Sequence, residues 1–217
     1  MNQTDAMARA ARAKKVTWVG FWVNVVLSVA KIIAGIVGCS GAMIADGVHS
    51  ISDFVTDIIV IVFIGVSAKG ENTRFRYGHG KFETFATMLI SFALFAVAVG
   101  LFWTSFSQIV DAFNGKVLPR PEMVALVMAF VSVVAKEWLF HYTRVAGEQM
   151  NSMALVANAW HHRSDAFSSI AVLVGIGCAM FLGERWRVLD PIAAATVSVF
   201  IALVAYRLAM PSIRELL

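Results

Sequence analysis

The chain has 217 residues, of which 59% are hydrophobic and 15% charged, and its mean hydropathy is +0.75. Soluble domains carry about 25% charged residues, so a water-soluble globular fold is excluded. The formal net charge is +4, but the basic residues flank long apolar runs, which is the pattern of topology signals and anionic-lipid contacts, so no nucleic-acid partner is expected.

In chain order, residues 1–15 read as a short polar lead with Arg9, Arg12, Lys14 and Lys15 and no signal-peptide cleavage pattern. Six apolar segments follow at Val16–Cys39, Ala42–Ser67, Phe82–Phe113, Glu122–Val145, Asn151–Leu182 and Pro191–Met210. A helix needs roughly 20 residues to cross a bilayer. The expectation is therefore an all-α membrane protein whose six transmembrane helices occupy 16–211, followed by a short tail at 212–217. The third and fifth segments exceed one span and are expected to tilt or to project into water. The longer polar connections are Ala68–Lys81 and Asn114–Pro121. Cys39 and Cys178 lie in or beside spans, form no CxxC pair, and read as packing residues.

Basic residues set the orientation. Arg9, Arg12, Lys14, Lys15, Lys69, Arg74, Arg76, Lys81, Arg144, Arg207 and Arg214 fall on one side of a six-span layout. Lys116, Arg120, Arg185 and Arg187 fall on the other. The positive-inside rule then places both termini in the cytoplasm, and a cytoplasmic (inner) membrane is the expected location. Lys31, Lys136 and Arg163 remain inside spans.

The second span opens after a small-residue turn with Ala45-Asp46-Gly47-Val48-His49-Ser50-Ile51-Ser52-Asp53-Phe54-Val55-Thr56-Asp57. Carboxylates at a helix centre cost about 2.5–3.5 kcal/mol each on insertion scales, so those that occur are usually functional or paired. His49 and Asp53 stand four apart on one helix face, and the spacing recurs at His161 and Asp165. With opposed second and fifth helices both pairs reach mid-depth. Two imidazoles and two carboxylates make an N2O2 set that suits a tetrahedral divalent ion such as zinc. Metal binding to such a set releases any protons its ligands carry, and imidazole titrates near neutrality, so proton-for-metal exchange is chemically available.

Asp46 and Asp57 lie near the face of Asp53; they read as linings of the paths to the site, or Asp57 as a partner for Lys31 or Lys136. Asn24 and Ser28 on the first helix are further path candidates. His162 points about 100° away from His161 and reads as a supporting or packing residue. Lys136, Glu137 and His141 resemble an internal ion pair with a flanking histidine.

Three separated motifs carry a family resemblance. They are Ser40–Asp53, the loop Tyr77-Gly78-His79-Gly80-Lys81-Phe82-Glu83, and Ala157–Asp165. Together they resemble the cation diffusion facilitator family over nearly the whole chain. The resemblance implies six transmembrane helices, a homodimer, and export of Zn2+ or a similar divalent ion from the cytoplasm against protons. Zn2+ is then a transported substrate, and no organic cofactor is implied. Carried over residue by residue, the transport site falls on His49, Asp53, His161 and Asp165, and a His/Asp pair on both helices goes with zinc preference in the family. A loop site used by some members keeps only His79 here, with Asn72 and Phe75 at the other two positions, so that site is expected to be weak or absent. The cytoplasmic domain that family members usually carry is not expected within these residues. Fe2+, Mn2+ or Co2+ are alternative cargoes. A membrane metalloenzyme is the alternative of another class, but the chain has no HExxH and no histidine box, and four protein ligands would close the coordination shell. A passive metal channel is a third alternative.

Overall fold

A computed structural model describes residues 3–67, 80–150 and 152–216, with side chains described except at 3–14, 55–67, 80–87, 153, 154, 157 and 215–216. Six long helices cover these residues: α1 (Gln3–Val37), α2 (Gly41–Ser67), α3 (Gly80–Phe113), α4 (Met123–Gln149), α5 (Met153–Phe181) and α6 (Leu189–Leu216). A short 3-10 turn at Glu184–Val188 links α5 to α6, and no strand occurs among the described residues. The all-α expectation therefore holds. Segments within α1, α3, α4, α5 and α6 are long and apolar enough to cross a membrane. The first half of α2 carries Asp46, His49 and Asp53, and the side chains of its second half lie outside the described residues. Within the expected lead, α1 already begins at Gln3 and runs on into the first apolar segment. At the other end α6 starts two residues before Pro191, which sits in the first turn where a missing N–H breaks no helical bond.

Many large apolar side chains lie outward, while the buried core mixes small residues with Met43, Leu139, Phe140, Ile176 and Ile201. On α1, Trp18, Trp22, Val26, Val29, Ile33 and Ile36 recur every three or four residues and are all exposed. The opposite face of α1 buries Gly20, Ser28, Lys31, Ala34 and Gly35. Lipid tails are as apolar as leucine, so close approach of small residues, not apolar burial, favours helix association in a bilayer. A Cβ on Gly35 would lie 2.7 Å from the backbone nitrogen of Ile44, and one on Gly47 would lie 2.7 Å from Ile32 Cγ1. α1 and α2 are therefore in backbone contact along their shared face. α4 pairs with α5 and α3 with α6, while α1–α4 and α2–α6 contacts join the pairs; α2 and α5 touch only lightly.

The turn between α1 and α2 sets where α2 begins. The Ser40 N–H donates to the Gly35 carbonyl (3.0 Å) and the Cys39 N–H to that of Ile36 (3.4 Å), the bond pattern of a Schellman cap. Cys39 takes the left-handed position with φ 49° and is exposed, so it is a turn residue and not the packing residue expected. Beyond it, the Ser40 hydroxyl accepts from the Met43 N–H at 3.1 Å and donates to Asp190 Oδ1 at 2.5 Å. Asp190 Oδ2 also accepts from the Gly41 and Ala42 N–H groups at 2.8 and 3.4 Å. A buried carboxylate from the first turn of α6 thus satisfies the free N–H groups at the start of α2, where the helix dipole also favours negative charge.

A left-handed backbone is strained by a Cβ. Cys39→Gly is accordingly expected to stabilise the fold by about 1 kcal/mol. The check is thermal unfolding in detergent, where the variant melts above the wild type.

Candidate metal centre

Where α2 and α5 face each other, the ligand atoms of His49, Asp53 and Asp165 lie within 4.8 Å of one another. Both i,i+4 pairs form as their spacing requires. His49 Nε2 is 3.9 Å from Asp53 Oδ2, and His161 Nδ1 is 3.9 Å from Asp165 Oδ1. The fourth expected ligand is placed differently from the others: the His161 side chain is 44% exposed, against 10% for Asp165. His161 borders the cluster through Asp165 but does not belong to the three-residue group.

The donor set fits a divalent ion. Asp53 Oδ2 and His49 Nδ1 are buried without a hydrogen-bond partner among the described residues. Polar atoms left this way in a low-dielectric interior cost free energy unless something binds them. Two carboxylates with one or two neutral imidazoles also balance the charge of a 2+ ion.

Two buried ammonium groups border this cluster, and both are partnered differently from the sequence expectation. Lys136 of α4 donates to Asp165 Oδ2 at 2.8 Å, with both side chains almost wholly buried. Lys136 therefore does not pair with Glu137. Adjacent helical residues do not face one another, and Glu137 instead lies on the half-exposed surface, 3.3 Å from His141 Nε2 and 4.0 Å from Arg163 Nε. Arg163 also stacks its guanidinium over Phe140 at 4.6 Å.

The second ammonium is Lys31 of α1. It lies 2.8 Å from Asp46 Oδ2 and donates to Ser50 Oγ at 3.1 Å and Ser169 Oγ at 3.2 Å. Ser169 in turn donates to Asp46 Oδ2 at 3.1 Å. Asp46, expected on an ion path, is instead 1% exposed inside a closed network that ties α1, α2 and α5 together. Asp57 was the alternative partner for Lys31 or Lys136; its side chain lies outside the described residues, and both lysines are already occupied by other carboxylates. The loop residues Asn72, Phe75 and His79 lie outside the described residues altogether.

Asn24 is half-buried with its Oδ1 unpartnered among the described residues, and Ser28 donates to the Asn24 carbonyl at 2.8 Å. With Lys31 they form an i, i+4, i+7 polar line on α1. His162 is buried, and its Nε2 is 3.5 Å from Asn158 Nδ2, in keeping with a supporting role. Sequence reasoning missed Ser169 and Asp190. Ser169 stands four residues after Asp165 on the same face, and Asp190 precedes a proline at a helix start; both signals were present.

The structure is a helical bundle with five candidate membrane spans and a carboxylate–imidazole cluster between two of its helices. Residues 17–217 match the family model described as the cation efflux transmembrane domain. The chain belongs to that family. It is 33% identical over 216 residues to the manganese efflux system protein MneP of Bacillus subtilis, covering 98% of this chain and 71% of that protein. It is 32% identical over 207 residues to mitochondrial metal transporter 1 of Saccharomyces cerevisiae, covering 85% of this chain and 39% of the relative. With metal tolerance protein C1 of Arabidopsis thaliana it shares 35% identity over 218 residues, 94% of this chain and 45% of the relative. The chain therefore spans less than half the length of two of these three relatives.

Breaking a buried ion pair from one side strands the other charge. Asp46→Ala is expected to destabilise the protein by about 3–5 kcal/mol, whereas the double change Lys31→Met with Asp46→Leu recovers most of that loss. A double-mutant cycle on thermal or denaturant unfolding checks this.

Proposed function

We propose that this chain carries a divalent metal ion, Zn2+ first among candidates, out of the cytoplasm in exchange for protons. The observation that carries the reading is the convergence of His49, Asp53 and Asp165 ligand atoms within 4.8 Å inside the helical bundle. His161 completes a tetrahedral His2Asp2 shell by turning inward, since its ring already borders the carboxylate of Asp165. Zinc, with no d-electron preference to oppose it, takes four such nitrogen and oxygen ligands tetrahedrally. Protons enter the cycle because the carboxylates and imidazoles that hold the ion also take up protons when it leaves. Alternating access would expose the cluster to one side of the membrane at a time. Both termini lie in the cytoplasm in this reading, with the protein in the cytoplasmic membrane.

Mn2+ is the second cargo reading. A relative is named as a manganese efflux protein. The three residues that converge here also supply two carboxylates and one imidazole, an oxygen-rich set that suits Mn2+. Binding strength does not separate the two, because zinc outcompetes manganese at most N/O sites.

Transport into everted vesicles or proteoliposomes tests the reading. Zn2+ uptake is expected to rise with an imposed pH gradient and to fall at least about tenfold in Asp53→Asn, which removes a ligand charge without unpairing a lysine. Uptake indifferent to the gradient would identify a channel, and uptake intact in Asp53→Asn would place the site elsewhere. Parallel assays with Mn2+, Fe2+ and Co2+ rank the cargoes.

A homodimer accompanies this function. The exposed face of α3, with Phe92, Phe95, Phe102 and Phe106, offers a contact surface within the membrane. Mass measurement in detergent is expected to give twice the 23.6 kDa chain mass; a monomer throughout the concentration range would remove the dimer from the proposal.

A further inference from the structure

The geometry points to Lys136 as a tethered cation that competes with the transported metal for Asp165. This inference rests on the reading that Asp165 is a metal ligand, and it adds a residue that sets the affinity of that site.

The lone-pair positions of a carboxylate facing the site are limited. Asp165 Oδ2 is taken by the Lys136 ammonium at 2.8 Å, while Oδ1 faces His161. Asp53 Oδ2, in contrast, has no hydrogen-bond partner among the described residues, His49 Nε2 standing 3.9 Å away. A metal that enters from the α2 side therefore finds His49 and Asp53 free and Asp165 already engaged. Full coordination requires Asp165 to exchange an ammonium on α4 for a metal held by α2.

The two buried lysines differ in how firmly they are held. Lys31 meets Asp46, Ser50 and Ser169, which uses all three of its N–H donors. Lys136 has one hydrogen-bond acceptor among the described residues, the Asp165 carboxylate. Lys31 is thus fixed as part of the framework, whereas Lys136 is held by a single bond that a doubly charged ion can replace. With the ion bound, the ammonium remains close to a like charge in a medium of low dielectric, which weakens metal binding and favours release. Lys136 acts through Asp165 and is a positioning residue for the cargo.

The test is equilibrium binding of Co2+ and Zn2+ to purified protein in detergent, read by Co2+ absorption and by calorimetry, with transport kinetics alongside. Lys136→Gln is expected to tighten binding at least about tenfold, and to lower the KM for Zn2+ while also lowering the maximal rate as release slows. Lys136→Arg, which keeps the charge and can hold Asp165 through two N–H groups, is expected to bind the metal no more tightly than wild type. Binding in a folded Lys136→Gln protein that equals or falls below wild type overturns the inference, as does equal tightening in both variants. Asp165→Asn separates the two readings. If it leaves affinity unchanged, Asp165 is not a ligand and the site reading itself fails; if it weakens binding while Lys136→Gln does not tighten it, only the role of Lys136 fails.

Discussion

Two carboxylates inside this bundle are each held by a lysine from another helix, and the placement of the central helices depends on that pairing. Charge in a low-dielectric interior must be matched at short range. Asp46 and Asp165 meet this requirement through Lys31 and Lys136 at 2.8 Å. The first pair, with Ser50 and Ser169, binds α1, α2 and α5 at one level; the second binds α5 to α4. Among the described residues Asp53 has no such lysine, and it stands where His49 and Asp165 converge on it. The arrangement distinguishes a framework carboxylate, Asp46, from Asp165, shared between a lysine and the cluster, and from Asp53, which is kept available.

Much of this was legible from spacing. Intrahelical geometry is a property of sequence separation, so the His49–Asp53 and His161–Asp165 pairs formed as the i,i+4 rule demands. The starts of α2 to α6 also follow from apolar run length to within two residues, whereas α1 begins at Gln3, thirteen residues before its apolar run at Val16. Contacts between helices were harder to read. Which carboxylate meets which lysine depends on rotation and depth, and no local pattern encodes either. Local spacing therefore points Lys136 to its neighbour Glu137 and Asp46 to an ion path, whereas the fold pairs Lys136 with Asp165 and Asp46 with Lys31, each from another helix. His161 illustrates a subtler limit. Its spacing fixed its distance to Asp165, but its outward rotamer belongs to tertiary surroundings that the sequence does not display.

The small residues carry the other half of the architecture. Gly35 and Gly47 let α1 and α2 come into backbone contact, and that closeness is what allows the Lys31 side chain to reach Asp46. Close packing and buried charge are therefore coupled: a larger side chain at either glycine would separate the helices that keep the ammonium paired. The exposed aromatic and branched residues on the outer faces of α1 and α3 contribute little to this internal order and suit contact with lipid or a second copy of the chain.

Asp190 gives α2 a fulcrum. Its carboxylate grips the Ser40 hydroxyl and the first N–H groups of α2, so that end of the helix stays with α6. From Gly41 to Asp53 the helix then acts as a lever arm of about 18 Å. A tilt of about 10° around the Asp190 grip would sweep Asp53 through roughly 3 Å, more than the length of a zinc–oxygen bond of about 2.1 Å. Lys31 and Ser169 grip Asp46 and Ser50 along the same arm, so any swing of α2 large enough to alter the proposed coordination shell would have to carry α1 with it or break that network.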